Sequence, residues 1–212
     1  MAMTRAFISG FPEDTWVKTL ELSKLNLNPC LGCLGCWTKT PGRCVQRDDM
    51  DRVYRAISEA DVIIESFPLY FYGIPGPLKT MTDRCLPFTK AYGWSGGEKH
   101  ELRDPKMLKK KLVLISSCWH TGTEKLYASV RSAYDLVCGD AYSSIFCPQG
   151  ELFAMDICKR QVEAYLGDVR QAGREVAESG RITPETSAKL ARPILSDKTF
   201  ARITRPHWKI RD

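Results

Sequence analysis

The 212-residue chain has no apolar run approaching the ~20 residues that a helix needs to cross a membrane. Its opening, MAMTRAFISGFPEDTW, lacks the continuous apolar core of a secretory signal. Together these absences lead us to expect a cytoplasmic protein with no membrane partner. No segment carries a stripe of lysine and arginine, and the net charge is only +6, which gives no sign of a nucleic-acid partner. Internal repeats, low-complexity tracts and a clear linker are all missing. Histidine is scarce, at three residues. No Ser–His–Asp or Cys–His arrangement can be assembled, so no catalytic acid, base or nucleophile is assigned.

Cysteine, in contrast, is abundant, at nine residues. Four stand at 30, 33, 36 and 44, in PCLGCLGCWTKTPGRC. In a reducing compartment, clustered cysteines bind metal more often than they form disulfides. The spacing C-x2-C-x2-C-x7-C resembles the compact runs that hold iron–sulfur clusters. Structural zinc sites more often pair two C-x2-C knuckles a dozen or more residues apart, and Cys36 would then lack a knuckle partner. Gly32 and Gly35 suit a tight wrap, because glycine admits positive φ and close approach. A [4Fe–4S] cluster, a zinc ion, and packing without metal are the three readings of Cys30, Cys33, Cys36 and Cys44. Cys85, Cys118, Cys138, Cys147 and Cys158 read as small buried hydrophobes.

Along the chain, helical and strand patterns alternate. TWVKTLELSKLNL (15–27) starts with strand-like alternation. Residues 48–60 read as a helix capped by Asp48 or Asp49, with Met50, Val53, Tyr54 and Ile57 on one face. DVIIESFP (61–68), KKLVLISS (110–117) and YSSIFCP (142–148) read as buried parallel strands. Helices are predicted at 75–88, at 123–138 with Leu126, Val130, Tyr134 and Val137 inward, and at 155–180. A short helix from Pro184 is followed by irregular chain, made basic by Arg202, Arg205, Lys209 and Arg211. The pattern predicts an α/β fold, an open parallel sheet with helices on both faces. Ligands then bind in loops beyond the carboxyl ends of the strands. The expected division is one domain over 1–180, with the cysteine loop at 29–50, and a C-terminal extension over 181–212.

One such loop, SFPLYFYGIPGPLKTMTDR (66–84), follows a buried strand and precedes a helix. Its aromatic residues could hold a flat apolar ring or simply fill a core. PLYFYGIPGPLKTMTDR resembles the flavin-ring loop of the flavodoxin-like NAD(P)H-dependent FMN reductases. PCLGCLGCW followed by GRCVQRDDM is similar to the cysteine segment of that family's iron–sulfur flavoprotein branch, and AGREVAESGRIT (172–183) to its C-terminal helix. The resemblance covers roughly residues 5–205. It implies a flavodoxin-like fold, non-covalent FMN, and a homodimer or homotetramer. It also implies ring-binding roles for Pro68, Leu69, Tyr70, Phe71, Tyr72 and Gly73. The same roles extend to Ser117, Cys118, Trp119 and His120 after the next strand. Cluster ligation falls on Cys30, Cys33, Cys36 and Cys44.

The implied activity is an FMN-dependent oxidoreductase, with NAD(P)H or a reduced carrier as donor. The acceptor would be a small molecule or a ferredoxin-type carrier. An iron–sulfur electron-transfer or sensor module without flavin catalysis is the alternative. His120, Tyr70 and Tyr72 could hydrogen-bond the flavin or acceptor, and Asp83–Arg84 reads as a structural ion pair. The chain departs from the family at its start. The family opens with a strand and a phosphate loop of the form G-S-x-R-x-x-S-N-T. Here SGFPEDT (9–15) carries Glu13 and Asp14, which repel a phosphate, and Pro12, which removes a donor. A strand over 5–9 would lie too close to one at 16–22 for a parallel crossover. MTRAFISGFPED (3–14) therefore aligns better with the end of the family's first helix. The first strand and phosphate loop are expected to be missing, through a start upstream of Met1 or a degenerate relative.

Overall fold

In a computed structural model that describes residues 1–91 and 101–208, three strands form one parallel sheet. They are β1 (Val62–Pro68), β2 (Lys111–Ser117) and β3 (Tyr142–Cys147), in the order β1-β2-β3. Ile64 lies opposite Val113, and Ile115 opposite Ile145. The three predicted strands are therefore present within a residue or two. The central strand β2 runs apolar without alternation through Ile115, because it buries both of its faces. The strand-like alternation at 15–27 does not give a strand: the segment is irregular, with one 3-10 turn at Leu22–Lys24. Its Leu20, Leu22, Leu25 and Leu27 pack against the core instead. No strand precedes β1 among the described residues, and Ala2–Ile8 is a helix, as the crossover argument requires.

The α-helices are α1 (Ala2–Ile8), α2 (Gly35–Thr38), α3 (Met50–Glu59), α4 (Gly76–Asp83), α5 (Ala128–Cys138), α6 (Lys159–Ser179), α7 (Pro184–Leu190) and α8 (Asp197–His207). One face of the sheet packs Val113, Ile115, Ile145 and Cys147 against α1, α6 and α7, through Phe7, Val169, Ala172 and Leu190. The other face packs Leu114, Phe67 and Phe146 against α3, α4 and α5, through Met50, Val53, Met81 and Val130. Full burial of a side chain such as Phe7 or Leu114 contributes about 1.5–3 kcal/mol. Helix α1 lies so close to α6 that a Cβ on Gly173 would stand 1.9 Å from the Phe7 carbonyl oxygen. Only glycine permits that approach.

Several sequence expectations need correction. The helix predicted at 75–88 stops at Asp83 and gives way to a 3-10 turn at Leu86–Phe88. The one predicted at 123–138 begins at Ala128, and its Val137 is 76% exposed rather than inward. The chain after α7 is not irregular, since α8 follows, capped by the Ser196 hydroxyl on the Thr199 amide. Lys209 and Arg211 lie outside the described residues.

Candidate functional site

The loops after β1, β2 and β3 all leave the carboxyl edge of the sheet. In the first, Tyr70 and Gly73 exchange both backbone hydrogen bonds, at 3.1 and 3.0 Å. The turn between them is Phe71–Tyr72, with φ of 47° and 61°. Positive φ at both central residues is the pattern of a type I′ turn, usually Asn-Gly, because a Cβ in that region costs about 1–2 kcal/mol per residue. Here the strain is borne by two aromatic residues, and Phe71 is 99% exposed. Tyr70 and Tyr72 are also exposed, while Leu69 is half-buried. The Leu69 amide donates to the Ser117 carbonyl, which fixes this loop to the next, and the Ser129 hydroxyl donates to the Tyr72 carbonyl. Pro68 ends β1, and Gly73 precedes the proline-rich start of α4.

In the second loop the Cys118 amide donates to the Cys147 carbonyl, and its carbonyl accepts from Gly150. The Cys118 thiol is buried, and burial pushes its pKa up. Trp119 and His120 are exposed, and Ser117 is half-buried. The structure thus brings the loops carrying residues 68–73 and 117–120 side by side on adjacent strands.

Three features here escape sequence reasoning. Gln149 is fully buried with φ of 57°; its amide donates to the His120 carbonyl. Its side chain donates to the Leu195 carbonyl and accepts from the Leu195 amide, each at 2.8 Å. That latch leads the chain into α8, and Phe200 and Trp208 pack on the Trp119 ring at centroid distances of 6.2 and 6.1 Å. Glu151 follows, with a buried Oε2 that has no hydrogen-bond partner among the described residues, and burial raises its carboxyl to about 7.

The four-cysteine segment is closed at its neck by charge. Arg84, just past the end of α4, makes a bidentate pair with Asp48 at 2.8 and 3.1 Å and donates to the Asn28 carbonyl at 2.7 Å. Both charged side chains are 1% exposed. Burial alone would raise the Asp48 carboxyl, but hydrogen bonds from Arg84 and from the Asn28 and Met50 amides bring it down to about 2. The expected Asp83–Arg84 pair is therefore replaced: Arg84 pairs with Asp48, and Asp83 with Lys79. Adjacent residues on a helix do not face each other.

Within the loop, Gly32 has φ of 63°, and a Cβ on Gly35 would stand 2.6 Å from Val45. Cys36 is buried on α2, Cys44 is half-buried, and Cys30 and Cys33 are exposed. The Cys36 thiol is raised by burial first, then by Cys44, Cys30 and Cys33, so all four share one electrostatic neighbourhood. Among the described residues, however, no three His, Cys, Asp or Glu side chains are gathered into a group that would hold a metal. The donor chemistry suits a thiolate-bound metal, while the sulfurs are not converged. Of the other cysteines, Cys118, Cys147 and Cys158 are buried, and Cys85 and Cys138 are half-buried.

Among the described residues no helix is long and apolar enough to cross a membrane. Similarity to known proteins gives this geometry a context. An iron-sulfur flavoprotein of Archaeoglobus fulgidus is 40% identical over 80 residues, 38% of this chain and 34% of that protein. Another from Methanocaldococcus jannaschii is 41% identical over 68 residues, 32% of this chain and 34% of that protein. The matched stretches thus span about a third of the length of these relatives. An NAD(P)H:quinone oxidoreductase from Methanothermobacter marburgensis superposes with a TM-score of 0.57 at 21% identity, over 82% of this chain and 88% of that one. This likeness establishes the shared flavodoxin-like α/β fold. Residues 2–139, well over half of the chain, match the family described as NADPH-dependent FMN reductase, and the chain belongs to that family.

Proposed function

We propose that this chain binds the FMN ring between the loops after β1 and β2 and acts as an FMN-dependent oxidoreductase with NAD(P)H as donor. The observation that carries the reading is the strained Phe71–Tyr72 turn, which presents aromatic side chains to solvent beside the Trp119 loop. Strain kept where it serves no packing is a mark of a ligand site. In this reading Tyr70, Phe71, Tyr72 and Trp119 give the ring apolar contact, with Pro68 and Leu69 beneath. Ser117, Cys118 and His120 border its polar edge, where the Ser117 hydroxyl and the His120 imidazole can hydrogen-bond it, and Gly73 closes the turn. FMN, when bound, supplies hydride and single-electron chemistry. The protein's part is to orient the ring and exclude water from one face of it.

The second cofactor in the proposal is a [4Fe–4S] cluster on Cys30, Cys33, Cys36 and Cys44. It is supported by the thiol spacing, by the closed neck that keeps all four on one loop, and by the names of the relatives. A cluster of this kind, when bound, supplies one-electron transfer. The rival reading, an iron–sulfur module without flavin, draws on one observation. The segment after α1 exposes Glu13 and Asp14 and offers a phosphate no cradle. A small-molecule acceptor, quinones included, suits the exposed aromatic loop better than a protein surface does.

Absorbance of anaerobically purified protein, with iron and FMN quantified, tests both cofactors. The flavin band lies near ~450 nm and the cluster shoulder near ~400 nm. Tyr70→Ala should weaken FMN binding about tenfold, about 1.4 kcal/mol, as an aromatic contact is lost. Cys33→Ala should abolish bound iron. Unaltered flavin affinity would overturn the ring-loop assignment, and unaltered iron would overturn the cluster.

A further inference from the structure

The outer edge of β3 is not sealed by a fourth strand among the described residues. Alternate backbone groups of an edge strand point away from its sheet. Instead of a strand, the Ile182 amide reaches the Ser143 hydroxyl, and α7 stands alongside. A cleft of about 460 Å³ remains, with the β3 edge as floor, α5 as one wall and residues 181–191 as the other. That size falls among ordinary small-ligand sites of about 300–1,000 Å³.

Its polar lining is cationic and rich in donors. The Arg131 guanidinium stands 4.7 Å over the Phe146 ring, which fixes its plane. Among the described residues its one side-chain hydrogen bond is a long contact of 3.5 Å to the Ser144 hydroxyl. Arg181 enters from the opposite wall, and its nearest carboxylate, Asp140, is 3.9 Å away, too far for a hydrogen bond. Hydroxyls of Ser143, Ser144 and Ser187 add to the polar side, which also includes Thr123, Tyr142 and the Asp140 carboxylate, while Phe146 and Ile182 supply an apolar one.

We propose that this groove binds a small organic phosphate. Two guanidinium forks lining one groove together with hydroxyls offer more donors than a carboxylate can accept, and they suit the three oxygens of a phosphate monoester. The apolar side would take the attached carbon body. The groove lies along the flank of β3 and shares no lining residue with the loops at 68–73 and 117–120. The inference therefore stands apart from the flavin reading.

Phenyl phosphate, titrated by calorimetry at low salt, is the probe. Saturable one-to-one binding is expected. Arg131→Gln should weaken it about tenfold, and Arg131→Lys less, since charge survives without the fork. Asp140→Asn should tighten binding about twofold by removing the one carboxylate beside Arg181. That gain cannot come from misfolding. Raising salt from about 50 to about 300 mM should weaken binding severalfold. Tyr70→Ala should leave it unchanged. Phenol binding as tightly as phenyl phosphate, no saturation, or equal affinity in the Arg131→Gln/Arg181→Gln double variant would each overturn the proposal.

Discussion

The cysteine loop and the aromatic loop lie at the two ends of α4, and they are held by opposite means. The cysteine loop is fixed at its neck by a buried charge pair, with two of its thiols left in solvent. The aromatic loop is fixed by uncharged hydrogen bonds to its backbone, one of them from the Ser129 hydroxyl, and holds its strain in the turn itself. A charge pair out of water is costly to form and more costly to break singly. It therefore specifies one register for a segment whose interior has little apolar packing of its own. The aromatic loop needs no such device, because β1 and the Ser117 carbonyl already set its register.

The largest effect should come from breaking the neck. Arg84→Met leaves the Asp48 carboxylate buried and unpaired, and should cost about 3–5 kcal/mol in denaturant unfolding. The double variant Arg84→Met/Asp48→Leu should recover most of that loss, because neither partner is left alone. A single variant as stable as the parent would show that water reaches Asp48. The pair also has a pH signature. The folded carboxyl sits at about 2, below its ordinary value of 3.8. The folded state therefore releases its proton more readily. The stability this contributes is complete above pH ~4 and is lost as pH falls toward ~2.

A smaller effect is expected at the latch between the second loop and the C-terminal helix. Gln149→Ala leaves the Leu195 amide and carbonyl without their partners and should cost about 2 kcal/mol. Amide exchange should rise over 195–207 and stay low in α6, which packs independently on the sheet. Uniform exchange across both helices would mean that α8 has no separate anchoring.

How much of this was legible follows from the range of each interaction. The buried strands could be read because each is a local apolar run. The aromatic loop could be read because Pro68 and the Pro75–Pro77 pair punctuate it. Residues 15–27 misled because alternation describes a half-buried strand only when a neighbour supplies the ladder. Here the leucines found a helical face instead. Helix α8 was missed because it buries only Phe200 and Thr204, which leaves too thin an apolar stripe, and Pro206 lies near its end. The Arg84–Asp48 pair spans 36 residues and Gln149–Leu195 spans 46. Neither has a local signal. Arg84 looked like a partner of its chain neighbour only because sequence proximity was the sole distance on hand.

The smallest stability effect should fall on the aromatic turn, where the contrast with the neck is sharpest. Phe71→Gly removes a ring that is 99% exposed and relieves a positive φ of 47°. Relief of about 1 kcal/mol is offset by the greater freedom of glycine in the unfolded chain, about 0.5–1 kcal/mol. Stability should therefore stay within about 0.5 kcal/mol of the parent, while FMN affinity falls severalfold. A loss beyond about 1.5 kcal/mol would mean that the ring packs against the protein in solution, and the turn would then be a structural feature like the neck. Unchanged stability with weakened flavin binding would separate the two loops by purpose: one keeps charge buried to hold a shape, and the other keeps strain exposed to meet a ligand.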